Sequence, residues 1–420
     1  MIADQILHLS KDYSNKTLIC YNNSHYSIGQ INQEINSLAG FLLEKKIDDK
    51  YIGVKIAHPI NLLSSIIAIN RINKIPVIFS DYTITDNPTD IKIFLNDENI
   101  VFNYATLKIK EKKYYENDIQ VALFTTGTTG KPKLVELTYY NVYKSSKMWN
   151  NILKFSPDDV YYNCLPLYHI GGLSIFFRTI YFNMQMIIGH YNQISIHEEI
   201  QSFYISLVPT MLYEILNNKD YKLNKIKVAI LGGAHLTNKI LDKALNQDLS
   251  VYVSYGMTET SSGIAGYWAD KSKKNNCFIA HDNVDIHVDN CRIIIKSPTV
   301  MKGYYQDKKA CNKFITNDLA YIKNGLWTKI SRLDSLIITG GKKVNPMTVE
   351  DRLLMNPNIK ACKVLGVQDD KWGQKVIAFI NEKEKQNNYH DSYTLFLKKM
   401  LPNYMVPKEF IILNQMHIKL

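Results

Sequence analysis

The chain has no run of about 18 apolar residues, so no membrane-spanning helix is expected. Its six cysteines, Cys20, Cys164, Cys277, Cys291, Cys311 and Cys362, lie far apart, with no C-x-x-C pair and no histidine cluster at zinc spacing. Disulfide staples and a structural metal are therefore not expected, and a reducing compartment is. The opening residues M-I-A-D-Q-I-L-H-L-S-K-D interrupt their apolar positions with charge too early for a signal peptide. Internal repeats and low-complexity linkers are also missing; residues 381–388 form the most loop-like polar stretch. These absences point to a cytoplasmic globular protein.

What is present fits that class. Hydrophobic residues make up 46% and charged residues 21% of the 420, values at which a chain buries a core without staples. The length predicts two or three packed units. Fifty Lys and Arg against 39 Asp and Glu give a formal charge of +11 and attraction for polyanions. The basic residues are scattered and no nucleic-acid recognition motif occurs, so nucleic acid is not an expected partner. Anionic cofactors such as ATP and coenzyme A fit the charge better.

The first 118 residues alternate helical and strand patterns. Residues 30–44 place Ile31, Ile35, Leu38, Phe41 and Leu42 on one face, which predicts an amphipathic helix. Residues 51–57 read as a strand, 60–69 as a buried helix and 75–79 as a second strand. Farther on, β-rich runs end abruptly in small or polar residues. Residues 119–124 run into T-T-G-T-T-G, 204–208 into Pro209-Thr210, 226–231 into Gly232-Gly233-Ala234, and 251–255 into Gly256-Met257-Thr258-Glu259. In open α/β sheets ligands bind beyond the carboxyl ends of strands. These ends predict one crevice lined by a Gly-rich loop, a Gly-Gly turn and an acidic Thr-Glu pair. Residues 284–288, 291–296 and 300–304 read as short strands of a small barrel or sheet. A compact αβ pattern restarts after Arg332-Leu333-Asp334, where the domain boundary is placed.

The strongest chemical signal is Thr125-Thr126-Gly127-Thr128-Thr129-Gly130-Lys131-Pro132-Lys133. Glycines let backbone N–H groups converge on phosphate oxygens, threonine hydroxyls add donors, and Lys131 and Lys133 neutralise charge. It is not a Walker loop, which needs two more residues between its glycines and Ser or Thr after the lysine. The bland alternative is a flexible Gly/Thr hairpin.

With this loop the chain resembles the adenylate-forming superfamily of acyl-CoA synthetases, carrier-protein adenylation domains and luciferases, along nearly its whole length. The family's loop reads T-[ST]-G-T-T-G-x-P-K-G, matched here except that Leu134 replaces the last glycine. Leu165-Pro166-Leu167-Tyr168-His169 is similar to the family's P-L-[FY]-H, whose histidine borders the acyl pocket, so the resemblance gives His169 a positioning role. It implies that Gly232, Gly233 and Ala234 pack on adenine, with Tyr255 of Tyr255-Gly256-Met257-Thr258-Glu259 stacking on that ring. Thr258 would bond the α-phosphate and Glu259 would hold magnesium, whose hard-oxygen chemistry takes one or two carboxylates. Thr316-Asn317-Asp318 resembles the T-G-D whose aspartate clamps ribose. Arg332-Leu333-Asp334 resembles the G-R-x-D segment, with Ser331 for its glycine, which makes Asp334 the hinge. Gly340, Gly341 and Lys342 match the loop that swings in to line the CoA tunnel. Taken singly, His169 reads as a pocket-wall histidine, Glu259 as a surface carboxylate, Asp318 as a cap and Arg332 as a surface ion pair. Their order and spacing argue for the family roles.

The resemblance implies an α/β fold with a large N-terminal AMP-binding domain over residues 1–333, built of α/β subdomains plus a small β-barrel-like subdomain. A small, apparently truncated α+β C-terminal mobile domain follows over 334–420. It implies a two-step acid–thiol ligase: a carboxylate attacks the α-phosphorus of ATP to give an acyl-adenylate, then the thiol of CoA displaces AMP. For the first step the family supplies a C-terminal lysine in a segment reading roughly L-P-x-T-x-x-G-K. Aligned through Val406-Pro407-Lys408 and Phe410, residues 416–420 fall just before that G-K, and Lys419 lies a few residues early. Two readings stay open: an incomplete sequence, or impaired adenylation with nucleotide and acyl binding kept.

L-P-L-Y-H-I-G-G-L-S-I-F-F-R, S-L-V-P-T-M-L, I-L-G-G-A and S-Y-G-M-T-E-T together look most like ortho-succinylbenzoate–CoA ligases of menaquinone biosynthesis. That acid has two carboxylates, and Arg178, in an otherwise apolar run, is the candidate partner for the one not activated. A buried arginine paired with a structural carboxylate or helix end is the competing reading. The alternatives are a fatty-acyl or other aryl-acid ligase, and an adenylation-deficient paralogue that binds nucleotide and acyl group. The expected partners are a carboxylic acid, ATP, Mg2+ and CoA, with a homodimer left open.

Overall fold

Ser27 opens the helix Ile28–Glu44 by accepting the Gln30 amide at 3.2 Å, while the Gln30 side chain accepts the Ser27 N–H at 2.8 Å. This reciprocal pair satisfies two of the amides a first turn leaves without partners. Ile28, Ile31, Ile35, Leu38 and Leu42 then form one buried stripe, with Phe41 partly buried beside it, as the spacing predicts. Pro59 begins the helix Pro59–Arg71, where its missing N–H costs nothing, and that helix is buried almost all round. It joins the strands Tyr51–Lys55 and Ile75–Ile78, which pair in parallel.

The chain is described here by a computed structural model covering residues 2–80, 89–101, 115–125, 132–196, 200–218, 221–234, 236–272, 277–290, 292–307, 313–323, 326–384 and 388–412. It divides into two compact units, residues 1–286 with 295–314, and residues 287–294 with 315–420. The first unit carries two sheets. One has nine strands in the order 279–280, 262–268, 251–257, 226–231, 203–207, 160–163, 185–188, 17–21, 24–27. The other has six, in the order 303–304, 133–138, 119–125, 75–78, 51–55, 94–96. A single apolar cluster draws Val54 and Leu123 from the six-stranded sheet and Tyr161, Met186 and Ile230 from the nine-stranded one. Leucines, isoleucines and phenylalanines of the helices Ile2–Asp12, Ile28–Glu44, Pro59–Arg71 and Ile170–Phe182 complete it. Among the described residues no helix is long and apolar enough to cross a membrane.

The three short runs after residue 284 part company. Asp285–Asp289 and Arg292–Lys296 join Phe314–Lys323 and Leu326–Arg332 in a four-stranded sheet. The run 300–304 does not join them. The Val300 amide closes a turn on the Ser297 carbonyl, and only Gly303–Tyr304 is extended, pairing antiparallel with Lys133–Thr138. The second unit has its own core: Ile337, Val344, Val349, Leu353, Val364, Ala378, Tyr393 and Phe410 belong to a cluster drawn entirely from residues 337–412. Its sheet runs 342–344, 337–339, 373–382, 359–369, with 409–412 added in parallel beside 373–382.

Thr138 starts the helix Tyr139–Leu153 with the same reciprocal device, accepting the Asn141 amide at 3.1 Å while Asn141 accepts the Thr138 N–H at 2.9 Å. Replacing Thr138 by Ala should lower stability by about 1 kcal/mol, the usual worth of such a cap. Urea unfolding followed at Trp149, on that helix, measures it; an unchanged midpoint would show the cap to be idle.

Candidate active site

Three of the strands whose ends drew notice in the sequence are neighbours: Phe203–Leu207, Ile226–Leu231 and Val251–Met257 lie side by side in the nine-stranded sheet. Gly232 donates its N–H to the Leu207 carbonyl at 3.3 Å, and Gly233 turns at φ +79°, so the Gly-Gly turn bridges the two strand ends on either side. The fourth, Ile119–Thr125, belongs to the six-stranded sheet instead, with Thr125 directly across from Lys133. Those two residues frame the loop between them. Thr126, Gly127, Thr128, Thr129, Gly130 and Lys131 lie outside the described residues.

Beyond Tyr255 the chain reverses sharply. A Cβ on Gly256 would stand 2.1 Å from the Ser262 carbonyl oxygen, so only glycine allows the strand Val251–Met257 to pass that close to Ser262–Trp268. Thr258–Thr260 is a single 3-10 turn. The Thr260 hydroxyl accepts the Met257 amide at 3.0 Å and donates to the Ser262 carbonyl at 2.9 Å. Ser261 and Ser262 follow at φ +54° and +105°, values uncommon outside glycine. Bonds to the side chains hold them: Ser261 Oγ donates to the Thr299 carbonyl at 3.0 Å, and Ser262 Oγ accepts from Arg178 at 2.9 Å.

Glu259 is buried in this turn at 9% exposure, so the reading of it as a surface carboxylate does not hold. Its Oε1 accepts the Tyr304 hydroxyl at 3.0 Å and its main-chain carbonyl accepts the Met301 amide at 2.8 Å. Among the described residues no cation lies within 4 Å of it, and no group of three or more His, Cys, Asp and Glu is placed to hold a metal ion. Magnesium needs no such group, since phosphates and water complete its octahedron around one or two carboxylates. Glu259 with one oxygen bonded to a neutral hydroxyl fits that demand. Tyr255 is buried with its ring edge-on to Phe278 at 5.9 Å, and Thr258 is partly exposed.

His169 sits at the start of the helix Ile170–Phe182 and makes no capping bond; its ring meets Tyr168 at 4.7 Å. One edge is open, yet desolvation by its surroundings lowers its pKa below the ordinary value. Arg178, two turns along, is buried at 2% exposure and stacks 4.6 Å over Trp149. No carboxylate among the described residues pairs with it, and its Nε has no acceptor, so the structural ion pair held open for it is not there. Burial lowers its pKa to about 10, which leaves it cationic at neutral pH.

In the second unit Asp318 and Arg332 are direct partners across paired strands, 3.9 Å apart, with Asp318 buried and Arg332 half exposed. The Asp318 amide bonds the Thr316 hydroxyl at 3.0 Å, and Arg292 holds the Thr316 carbonyl and the Asn317 side chain. Gly340 and Gly341, at φ +54° and +75°, make the tight turn between Ile337–Thr339 and Lys342–Val344, a conformation that suits glycine at both positions. Lys342 lies 4.7 Å over the Tyr404 ring. The Asp334 side chain and Lys419 lie outside the described residues.

A family model described as AMP-binding enzyme matches residues 80–305, more than half of the chain, and one for the AMP-binding enzyme C-terminal domain matches residues 348–418. The chain belongs to the AMP-binding enzymes. Among members of that family, the 2-succinylbenzoate–CoA ligase of Bacillus cereus (strain Q1) is 30% identical over 334 residues, 73% of this chain and 68% of that protein. The o-succinylbenzoate CoA synthetase of Bacillus subtilis, solved with its acyl-adenylate intermediate, superposes with a TM-score of 0.86 at 21% identity, covering 98% of this chain and 95% of that one. The same synthetase with ATP and magnesium ion gives 0.85 at 21% identity, covering 98% and 96%. At such identity these structures speak for the fold, an AMP-binding enzyme with a small C-terminal domain.

Within this AMP-binding enzyme, Tyr304, Ser262 and His281 in the first unit and Arg292 in the second make side-chain bonds that were not foreseen from the sequence. Each meets its partner through a distant chain segment or a buried side, which no local motif signals. His281 is 7% exposed, bonded through Nε2 to the Tyr252 hydroxyl at 2.8 Å, with its ring 5.6 Å from Trp149. Desolvation first, then the nearby Arg178 charge, push its pKa from 6.5 to about 4. Between those values the unfolded chain binds a proton that the folded one refuses, so acid removes stability that is fully present above pH 6.5. Wild type should lose about 2 kcal/mol more than His281→Gln between pH 7.5 and pH 5. Parallel unfolding curves for the two proteins across that range would contradict this assignment.

Proposed function

We propose that the chain is an ATP-dependent acid–CoA ligase that makes an acyl-adenylate and then a CoA thioester, with ortho-succinylbenzoate as its acid. The observation that carries the substrate is Arg178. A buried guanidinium without an opposing charge is costly, and a carboxylate delivered by the substrate relieves that cost. A dicarboxylic acid can be activated at one end and held by Arg178 at the other. The names of the curated relatives, 2-succinylbenzoate–CoA ligases, agree with such an acid.

In the proposed reaction the loop from Thr125 to Lys133 cradles the phosphates, and Thr258 steadies the α-phosphate under attack. Magnesium, which Glu259 would hold, supplies charge neutralisation on the phosphate oxygens when ATP is bound. Gly232, Gly233, Ala234, Tyr255 and Gly256 border the adenine. His169, whose pKa desolvation lowers from its ordinary value, lines the acid's path. Asp318 takes the ribose hydroxyls and Arg332 steadies it from the paired strand; their 3.9 Å separation supports that pairing. Thioester formation follows when residues 334–420 turn about Asp334 and bring Gly340, Gly341 and Lys342 to the CoA. The separate core of residues 337–412 supports a body able to move as one piece. ATP, magnesium and CoA are at hand in the cytoplasm, where the proposal places the enzyme.

Arg178→Ala should weaken ortho-succinylbenzoate binding about 100-fold, since truncating one partner of a buried charge pair costs 2–5 kcal/mol, while benzoate and fatty acids change less than about threefold. Calorimetric titration of each acid in the presence of a non-hydrolysable ATP analogue measures this. Equal losses for all the acids would discard the dicarboxylate reading.

A further inference from the structure

We infer that Tyr304 is a positioning residue for the magnesium nucleotide, fixing the Glu259 carboxylate in one orientation and tying it to Lys133 at the exit of the phosphate loop. The inference rests on the reading above of this site as one for ATP. Tyr304 sits in the two-residue strand Gly303–Tyr304, with Gly303 opposite Glu136 and Tyr304 opposite Val135 of Lys133–Thr138. The amides on either side, Lys302 and Tyr305, donate to the carbonyls of Glu136 and Leu134 at 3.0 and 2.8 Å. The residue is therefore stitched to the strand by which the chain leaves the phosphate loop.

From that anchorage its side chain does two things. The phenolic O–H donates to Glu259 Oε1 at 3.0 Å, and the ring face carries the Lys133 ammonium 5.1 Å from its centroid. Three residues earlier the Met301 amide grips the Glu259 carbonyl at 2.8 Å. The short segment from Met301 to Tyr304 thus holds Glu259 by main chain and side chain together. It also joins the two sheets of the unit, because Glu259 follows a strand of the nine-stranded sheet and Lys133 begins one of the six-stranded sheet.

The choice of tyrosine has a chemical reason. A lysine or arginine in this place would orient the carboxylate but neutralise it and compete with a metal ion. A neutral hydroxyl orients it and leaves its charge whole, with Oε2 bonded by no described side chain. The ring face meanwhile draws Lys133 by cation–π attraction without forming an ion pair that would cancel the lysine's charge toward phosphate. One residue keeps an anion and a cation of the site apart and aimed, each still charged.

The test is Tyr304→Phe in the full chain, which keeps the ring, its packing and its contact with Lys133 and removes only the hydroxyl. Binding of ATP is titrated against magnesium concentration, and binding of AMP is measured without the metal. The magnesium concentration that half-saturates ATP binding should rise about tenfold, the loss of one hydrogen bond to a charged group, with AMP affinity within twofold of wild type. In a Glu259→Gln background the same change should have no further effect. An unchanged magnesium requirement, or equal losses for AMP and ATP, overturns the role of Tyr304 while leaving the ATP reading standing. A wild-type protein that binds neither ATP nor AMP overturns the ATP reading itself, and this inference with it.

Discussion

The approach of the Gly256 α-carbon to the Ser262 carbonyl leaves no room for a side chain, and the local geometry of the site region follows from that contact. The two antiparallel strands are joined there by a very short reversal, Thr258–Thr260 with Ser261 and Ser262. Its positive φ angles at Ser261 and Ser262 are each worth about 1–3 kcal/mol of strain. Hydrogen bonds donated by Thr260, Ser145 and Arg178, and one from Ser261 Oγ to the Thr299 carbonyl, offset it. The same reversal tips Glu259 inward, where a carboxylate persists only if something polar meets it, and Tyr304 meets it.

This arrangement explains what could be read in the sequence and what could not. The helix Ile28–Glu44 was legible because its apolar period and its Ser27–Gln30 cap are both local. The strand ends were legible because β-branched runs stopping at Gly or Thr are local as well. That three of those strands are adjacent while Ile119–Thr125 belongs to a different sheet was not legible, since pairing joins residues far apart in the chain. Tyr304 is 45 residues from Glu259, and Arg178 is 84 from Ser262, so neither partnership leaves a trace in spacing. The run 300–304 misled for a similar reason. Its β-branched and aromatic residues favour extended backbone, but Val300 and Met301 are buried by a turn, and only the last two residues find a partner strand. Motif order carried the family assignment where geometry could not be inferred.

Arg178 and Glu259 are both buried, and among the described residues neither has a counter-ion within 4 Å. Both are fastened to the same reversal, Arg178 through Ser262 and Glu259 as part of it, yet they do not pair with each other. An ion pair between them would have been the simplest way to lower the cost of burying either one. Instead each is held by neutral groups, a serine hydroxyl with an indole face for the cation and a phenol for the anion. Neutral contacts orient a charge without spending it, so both retain their attraction for ligands of opposite sign. A site proposed to gather a carboxylate at Arg178 and a metal-bound triphosphate at Glu259 is served by that separation. Had the two residues been paired, the proposed reaction would lose two of its electrostatic handles.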